Sequence, residues 1–385
     1  MRVRRGGARF LLLVVATLVA ANTPGEPWAL RAWAQSAGGD ENLHWKPNTG
    51  EARPADYTGP QVCAECHEAT FQTQKTTGMA QATMRPAESG LLRQHPTLSL
   101  EQGPYTYSIT NEGGQVLFSV SDSQGRITEP VVLVVGAGAI HQNYLIQHHG
   151  DYYQVPVSYY SALGKILLVG SAASAAPMSL EAALGARLTT DRTRLCLQCH
   201  STTSVFGDQV DTDYMVPGIT CEACHGPGGK HVAAMKAGKF RDSLIFDPGR
   251  LKPDETVDFC GTCHHGVQEV KSGELRGIRT VLSQPYRLIG SRCWNPNDAR
   301  SRCTSCHNPH QPLVRETAAY DAKCLSCHVS SASAPSRAVQ PGKACPVGKQ
   351  DCAGCHMPKV EVPGSHSSFT DHRIRIVHAG APYPE

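Results

Sequence analysis

Apolar and polar side chains alternate along several short stretches between residues 105 and 169. Tyr105–Thr110, Gln115–Val120, Val131–Val135, Tyr144–Gln147, Tyr152–Tyr160 and Lys165–Val169 are rich in β-branched and aromatic residues, and Gly113-Gly114, Gly125, Gly150-Asp151 and Gly164 punctuate them. A period of two sends successive side chains to opposite faces, so these runs predict a small antiparallel β-subdomain. Ser179 is a candidate N-cap for a helix running toward Arg194. Farther on the pattern changes: from Cys293 to Glu385 there are few long apolar runs from which a protein core could be built.

The N-terminus reads as a secretory signal. Arg2, Arg4, Arg5 and Arg9 precede an apolar run from Phe10 to Ala21, too short to span a membrane, and Ala32-Trp33-Ala34 offers a small-x-small cleavage site. Removing residues 1–34 discards five Arg and one Glu, which takes the formal charge from +3 to −1. The basicity of the whole sequence therefore belongs to its signal, and nucleic-acid binding is not expected. No later segment approaches the apolar length of a membrane helix. The mature chain is expected to be soluble and periplasmic or extracellular.

Sixteen cysteines in an exported chain would ordinarily suggest a disulfide framework. Their spacing argues otherwise. Cys-x-x-Cys-His occurs seven times, at Cys63/Cys66/His67, Cys196/Cys199/His200, Cys221/Cys224/His225, Cys260/Cys263/His264, Cys303/Cys306/His307, Cys324/Cys327/His328 and Cys352/Cys355/His356. Two thiols three residues apart can both form thioethers to the vinyl groups of one porphyrin, and the histidine that follows reaches its iron as the proximal ligand. Zinc pairs do not require that histidine. The motifs therefore predict seven covalently bound c-type haems. Seven ferric haems would bring the net charge to about −8, which favours a redox partner with a basic docking patch.

Six motifs fall between Cys196 and His356, starting 25, 39, 43, 21 and 28 residues apart. Links so short place successive haems at or near contact. The expected fold is mostly irregular structure and short α-helices wrapped around a stack of c-type haems, with the β-subdomain inserted between haem 1 and haem 2. The expected organisation is a signal peptide (1–34), a flexible N-terminal arm (35–58), a haem 1 segment (59–104), a β-rich subdomain (105–176) and a six-haem domain (177–385).

The irons also call for sixth ligands, and eleven further histidines are present. His231 lies six residues after His225 and His310 three after His307, so neither is placed for the far side of its own iron and each is better placed for a neighbouring one. His141, His265, His366 and His372 are further candidates. Haem 1 has no histidine close after its motif; Met79 is its candidate ligand, with Met84 and His95 behind it, although both methionines could equally be core side chains. Cys293 and Cys345 stand outside the motifs and are expected to pair with each other.

Several strings resemble a known family. Val134-Val135-Gly136 through His141 and Tyr144-Leu145, the run from Cys221 to His231, Cys303 to His310, Cys352 to Lys359 and Thr370-Asp371-His372-Arg373-Ile374 are similar to the multihaem cytochromes often fused to tetratricopeptide repeats, and to the tetrahaem cytochromes that accept electrons from hydroxylamine oxidoreductase. The resemblance covers roughly residues 58–378. It implies distal ligation by His141, His231, His310 and His372. Electron transfer is the expected function. A reductase or oxidase of a small nitrogen or sulfur compound at one open haem, and a subunit of a conductive multihaem complex or filament, remain alternatives.

Overall fold

A computed structural model describes residues 53–169, 173, 175–206, 209–241, 244–328 and 345–384. The predicted signal and residues 35–52 of the predicted arm lie outside the described residues.

The alternating runs form strands, and the sheet is larger than expected. Ten antiparallel strands take part: β1 (Thr83–Met84), β2 (Thr97–Gln102), β3 (Tyr105–Glu112), β4 (Gln115–Ser121), β5 (Arg126–Val135), β6 (His141–His148), β7 (Asp151–Gln154), β8 (Val157–Tyr160), β9 (Lys165–Leu168) and β10 (Ala186–Arg187). The order β7-β6-β5-β4-β3-β2 follows hairpin connections, while β10 pairs with β7 from farther along the chain, β1 joins β5 and the β8-β9 pair joins β6. Tyr105, Tyr107 and Ile109 point inward from β3 and meet Val116, Phe118 and Val120 of β4. Fully burying a side chain of this size contributes about 2–3 kcal/mol. Gly113 and Gly114, at φ 61° and 91°, make the tight turn that β3 and β4 require.

The sheet is longer than the sequence runs because its extra strands are short or polar. Leu98 alone is buried on β2, a strand held by its register with β3. The helix expected from Ser179 does not form there. Ser179 Oγ instead accepts the Ala182 N–H of a single 3-10 turn, and Gly185, at φ 118°, packs against the Gln154 carbonyl and breaks the chain. The helix begins at Thr190, capped by the Thr189 hydroxyl, which accepts the Arg192 N–H.

All seven Cys-x-x-Cys-His motifs lie on short helices or run on from them. The helices that carry them are numbered here in motif order: α1 (Pro60–Gln74), α2 (Thr190–His200), α3 (Cys221–His225), α4 (Pro253–His264), α5 (Cys303–Cys306), α6 (Asp321–Leu325) and α7 (Cys352–His356). A helical turn puts residues i and i+3 on one face, so the thiol pairs that lie within a helix face the same way, while Cys327 of motif 6 runs on beyond α6.

Candidate haem sites

The motifs meet in space rather than following one another in single file. Cys63 and Cys221 have their thiols in hydrogen-bonding contact, as do Cys260 and Cys303, and Cys324 and Cys352. Cys224 lies near Cys260, Cys306 near Cys324, and the Cys199 thiol donates to the Thr262 carbonyl at 3.5 Å. Motif 1 is thus joined to motif 3, motif 4 touches motifs 2, 3 and 5, and motifs 5, 6 and 7 continue from there. The sequence puts motif 1 alone ahead of the β-strands; the fold brings it back to the others.

The fold does not cover the fourteen motif cysteines equally. The second thiols of motifs 1, 4, 5 and 7, on Cys66, Cys263, Cys306 and Cys355, are exposed, whereas the other motif cysteines are half-buried. Each exposed motif thiol is the second of its pair. The reason is local. Cys263, Cys306 and Cys355 sit at the ends of α4, α5 and α7, and Cys66 stands just before a break in α1 at His67 (φ −112°, ψ 38°), so the chain turns away from each. Cys199 and Cys224 are also near helix ends, but α4 packs beside them through Thr262 and Cys260.

Glu222 makes the return of motif 1 possible. This residue, in an x position of motif 3, is 1% exposed. Its carboxylate accepts the backbone N–H groups of Thr58 (3.0 Å), Gly59 (2.8 Å) and Gly228 (2.7 Å). It therefore ties the N-terminus of α1 to motif 3, and charge-assisted bonds of this kind are stronger than neutral ones. The Gln74 amide donates to the Ile219 carbonyl at 2.7 Å, and the Ile219 N–H donates to the Met79 carbonyl at 2.8 Å. Gly218, at φ 71°, lies so close to the Ala80 carbonyl that a β-carbon there would sit 1.8 Å from its oxygen. Lys236 and Glu65 close the same junction with an ion pair at 3.1 Å, bringing the helix that carries His231 (Gly229–Lys236) against motif 1.

Several histidines are held as haem ligands must be. His200 Nδ1 donates to the Ala82 carbonyl (3.1 Å), His225 Nδ1 to Phe246 (2.9 Å), His356 Nδ1 to Arg375 (2.8 Å) and His372 Nδ1 to Thr370 (3.0 Å). A carbonyl can only accept, so the proton is on Nδ1 and the Nε2 lone pair is left for a metal. Burial pushes His372 down to about 4. Burial likewise lowers His141, His264, His307 and His310, with a neighbouring His200 adding to it at His141 and a neighbouring His225 at His310. Neutral imidazole is the ligating form.

Ring separations supply the fit to a haem iron. A metal–imidazole bond of about 2 Å, with the ring centre about 1 Å beyond the nitrogen, puts two axial imidazoles about 6 Å apart, centre to centre. His225 and His310 are 6.0 Å apart with planes 8° from parallel, and His307 and His372 are 6.1 Å apart at 43°. By contrast the sequence neighbours His148 and His149 stand 4.0 Å apart, too close for a metal between opposed rings.

The other candidates are distributed as follows. His141 lies near His200, and its ring is 6.2 Å from that of Tyr160, which in turn meets His366 edge-on at 5.0 Å. His366, at φ 50°, also borders an open cavity of about 490 Å³ with Arg315 and Glu361. His265 caps α4 at φ 56°, its carbonyl accepting from the Ser283 hydroxyl. Met79 is half-buried beside the chain leading into motif 3, while Met84 packs into the sheet core. His95 faces Tyr159, whose hydroxyl is 3.3 Å from Nε2. His148 is buried between Glu129 and Glu181. Cys293 and Cys345 are not bridged: Cys293 lies near Cys306 and Cys327 of motifs 5 and 6, and Cys345 is exposed.

Known proteins are similar in sequence and in fold. A family model described as cytochrome c554 and c-prime matches residues 170–226, the stretch holding motifs 2 and 3. The multiheme cytochrome MtrA of Shewanella baltica (strain OS185) is 25% identical over 191 residues, covering 46% of this chain and 46% of that protein. The chain thus spans about half the length of the curated relative it matches. Among solved structures, the outer cell wall cytochrome OcwA is similar in fold, with a TM-score of 0.50 at 15% identity over 84% of this chain and 80% of that one. These likenesses support a multihaem cytochrome c.

For such a cytochrome the fold adds residues that the motifs alone do not disclose. Asp321, at the start of α6, accepts the backbone N–H groups of Asp351 and Cys352, both at 2.8 Å, and so clamps motif 7 onto motif 6. Glu222 and Asp371, unlike the half-exposed Asp321, are buried acids beside motif residues. Glu222 had one visible sign in the sequence, an acid between two haem cysteines; Asp321 had none.

Proposed function

We propose that the chain is an exported heptahaem cytochrome that moves electrons between redox proteins along closely spaced haems. The observation that carries this reading is the contact between motifs distant in sequence, which brings their thioether-forming cysteines side by side and so seats their haems close together. Each bound haem would supply an iron that cycles between ferric and ferrous states, and the protein holds its axial ligands and excludes water from them. His67, His200, His225, His264, His307, His328 and His356 are the proximal ligands. His310 faces His225 and His372 faces His307 as distal ligands, and His141 is assigned to His200. His231, on the helix packed against motif 1, is a stronger candidate than Met79 for haem 1; His265, His366 and one of the remaining histidines are left for the haems of motifs 4, 6 and 7. Cys66 and Cys355 keep their assignment to the haems of motifs 1 and 7.

Two imidazole ligands close an iron to substrates, which favours a carrier over an enzyme. The similarity to MtrA and OcwA fits a chain that works in an exported compartment among other redox proteins, within a multihaem assembly or beside one. Two measurements test the reading. Intact mass of the denatured mature protein should show seven covalent haems, and carbon monoxide added to the reduced protein should find no iron open. Fewer haems would show an unused motif, and a stoichiometric carbon monoxide adduct would favour chemistry at an open haem.

A further inference from the structure

Asp371 is fully buried, and two arginines converge on its carboxylate. Arg287 Nε and Nη2 donate to Oδ1 and Oδ2 at 2.8 and 2.9 Å, and Arg375 Nη1 donates to Oδ2 at 2.6 Å. Oδ1 also accepts the Arg373 N–H at 3.0 Å. Arg287 is itself 1% exposed; its Nη1 donates to the Pro384 carbonyl at 2.7 Å, and its guanidinium lies 4.5 Å from the centre of the Tyr383 ring.

The peptide around Asp371 leads to two haem ligands. On one side the Thr370 carbonyl holds His372 Nδ1, while the His372 carbonyl accepts from Ser291 Oγ at 3.0 Å. On the other, the Arg375 carbonyl holds His356 Nδ1, and the Arg375 N–H donates to the His356 carbonyl at 3.2 Å. Asp371 also donates its own N–H to Pro358, two residues past His356, at 2.9 Å. A buried ion cluster is seldom needed for stability alone, since apolar residues of similar volume do as well. A bidentate fork adds direction: it fixes the rotation of the peptide that carries the carboxylate.

We propose that Asp371, gripped by Arg287 and Arg375, is a positioning residue for two irons: it aims His372 at the iron of motif 5 and His356 at the iron of motif 7. The cluster also places two guanidinium charges against one carboxylate, so removing the carboxylate charge raises both potentials. This rests on the ligand assignments proposed above for His372 and His356.

The test uses the holoprotein. Asp371→Asn should keep seven covalent haems, alter the ferric low-spin resonances of two haems while the other five stay as in wild type, and shift two midpoint potentials upward. His372→Ala should turn one haem high-spin. If His372→Ala does so while Asp371→Asn keeps wild-type resonances and potentials, the positioning role is overturned and the ligand assignment stands. If His372→Ala stays fully low-spin, the ligand reading fails and the proposal with it. Should Asp371→Asn not accumulate, Arg375→Lys, at the edge of the cluster, should still alter the motif 7 haem; unchanged resonances there would overturn the proposal.

Discussion

The imidazoles of His225 and His310 stand 6.0 Å apart with their planes 8° from parallel, although 85 residues separate them in the chain. That spacing suits an iron between them, so His310→Ala should open one axial position of the motif 3 haem. The variant is expected to keep all seven covalent haems and to gain a carbon monoxide adduct equal to one haem per chain. A variant with no adduct and no high-spin signal would remove His310 from the ligand set.

Glu222→Ala deprives three backbone N–H groups of a buried, charged acceptor. Bonds to a charged group are worth about 1.5–3 kcal/mol each, and partial rehydration of the freed donors should leave a net loss of about 3 kcal/mol. Thermal unfolding of the holoprotein should fall by about 5–10 °C. Glu222→Gln, which keeps an acceptor oxygen, should lose less.

Gly218→Ala puts a methyl group where the Ala80 carbonyl already is, at a φ of 71° that disfavours a side chain. A loss of about 3 kcal/mol or more is expected, concentrated at the junction of motif 1 with motif 3. Gly78→Ala, where a β-carbon meets nothing within 4 Å, is the matched control and should be near neutral in the same denaturation experiment.

Asp258 on α4 is raised to about 6 by burial and then by repulsion from Asp254. A carboxyl whose folded pKa exceeds its unfolded value stabilises the fold fully below the unfolded pKa and loses that contribution as pH rises through about 6. Two pKa units correspond to at most about 3 kcal/mol, and partial exposure reduces this to about 1–2. Asp258→Asn should therefore raise the unfolding midpoint at pH 7.5 relative to wild type, with the gap closing near pH 4. A constant gap across that range would exclude Asp258 as its source.

The features legible in the sequence are those set by residues close together in the chain. Cys-x-x-Cys-His needs only one helical turn, Gly113-Gly114 needs only its own positive φ, and the alternation in Tyr105–Thr110 is complete within one strand. What could not be read depends on long-range closure. Thr58 and Glu222 are 164 residues apart, and nothing local to either announces their bond. Arg287 looks like any surface arginine until Asp371 buries it. The unequal cover of Cys199 and Cys66 is of the same kind, since it depends on whether α4 happens to pack beside the thiol. The misplaced helix start also has this origin: Ser179 is a sound cap by composition, but Gly185 packs against the Gln154 carbonyl at a positive φ, so the cap is used for one turn only.

Motif 4 adjoins motifs 2, 3 and 5, so the motifs form a fork rather than a row. A row has two ends, and a fault at any interior member cuts it in half. A fork has three: here they are motif 1, reached through motif 3; motif 2; and motif 7, reached through motifs 5 and 6. Losing the haem at an end should leave traffic between the other two ends intact, whereas losing the haem of motif 4 should remove the shared junction and leave motifs 3 and 5 joined through the His225–His310 pair. Redundancy and vulnerability are thus allotted to different residues of one chain, with Cys260, Cys263 and His264 at the shared junction.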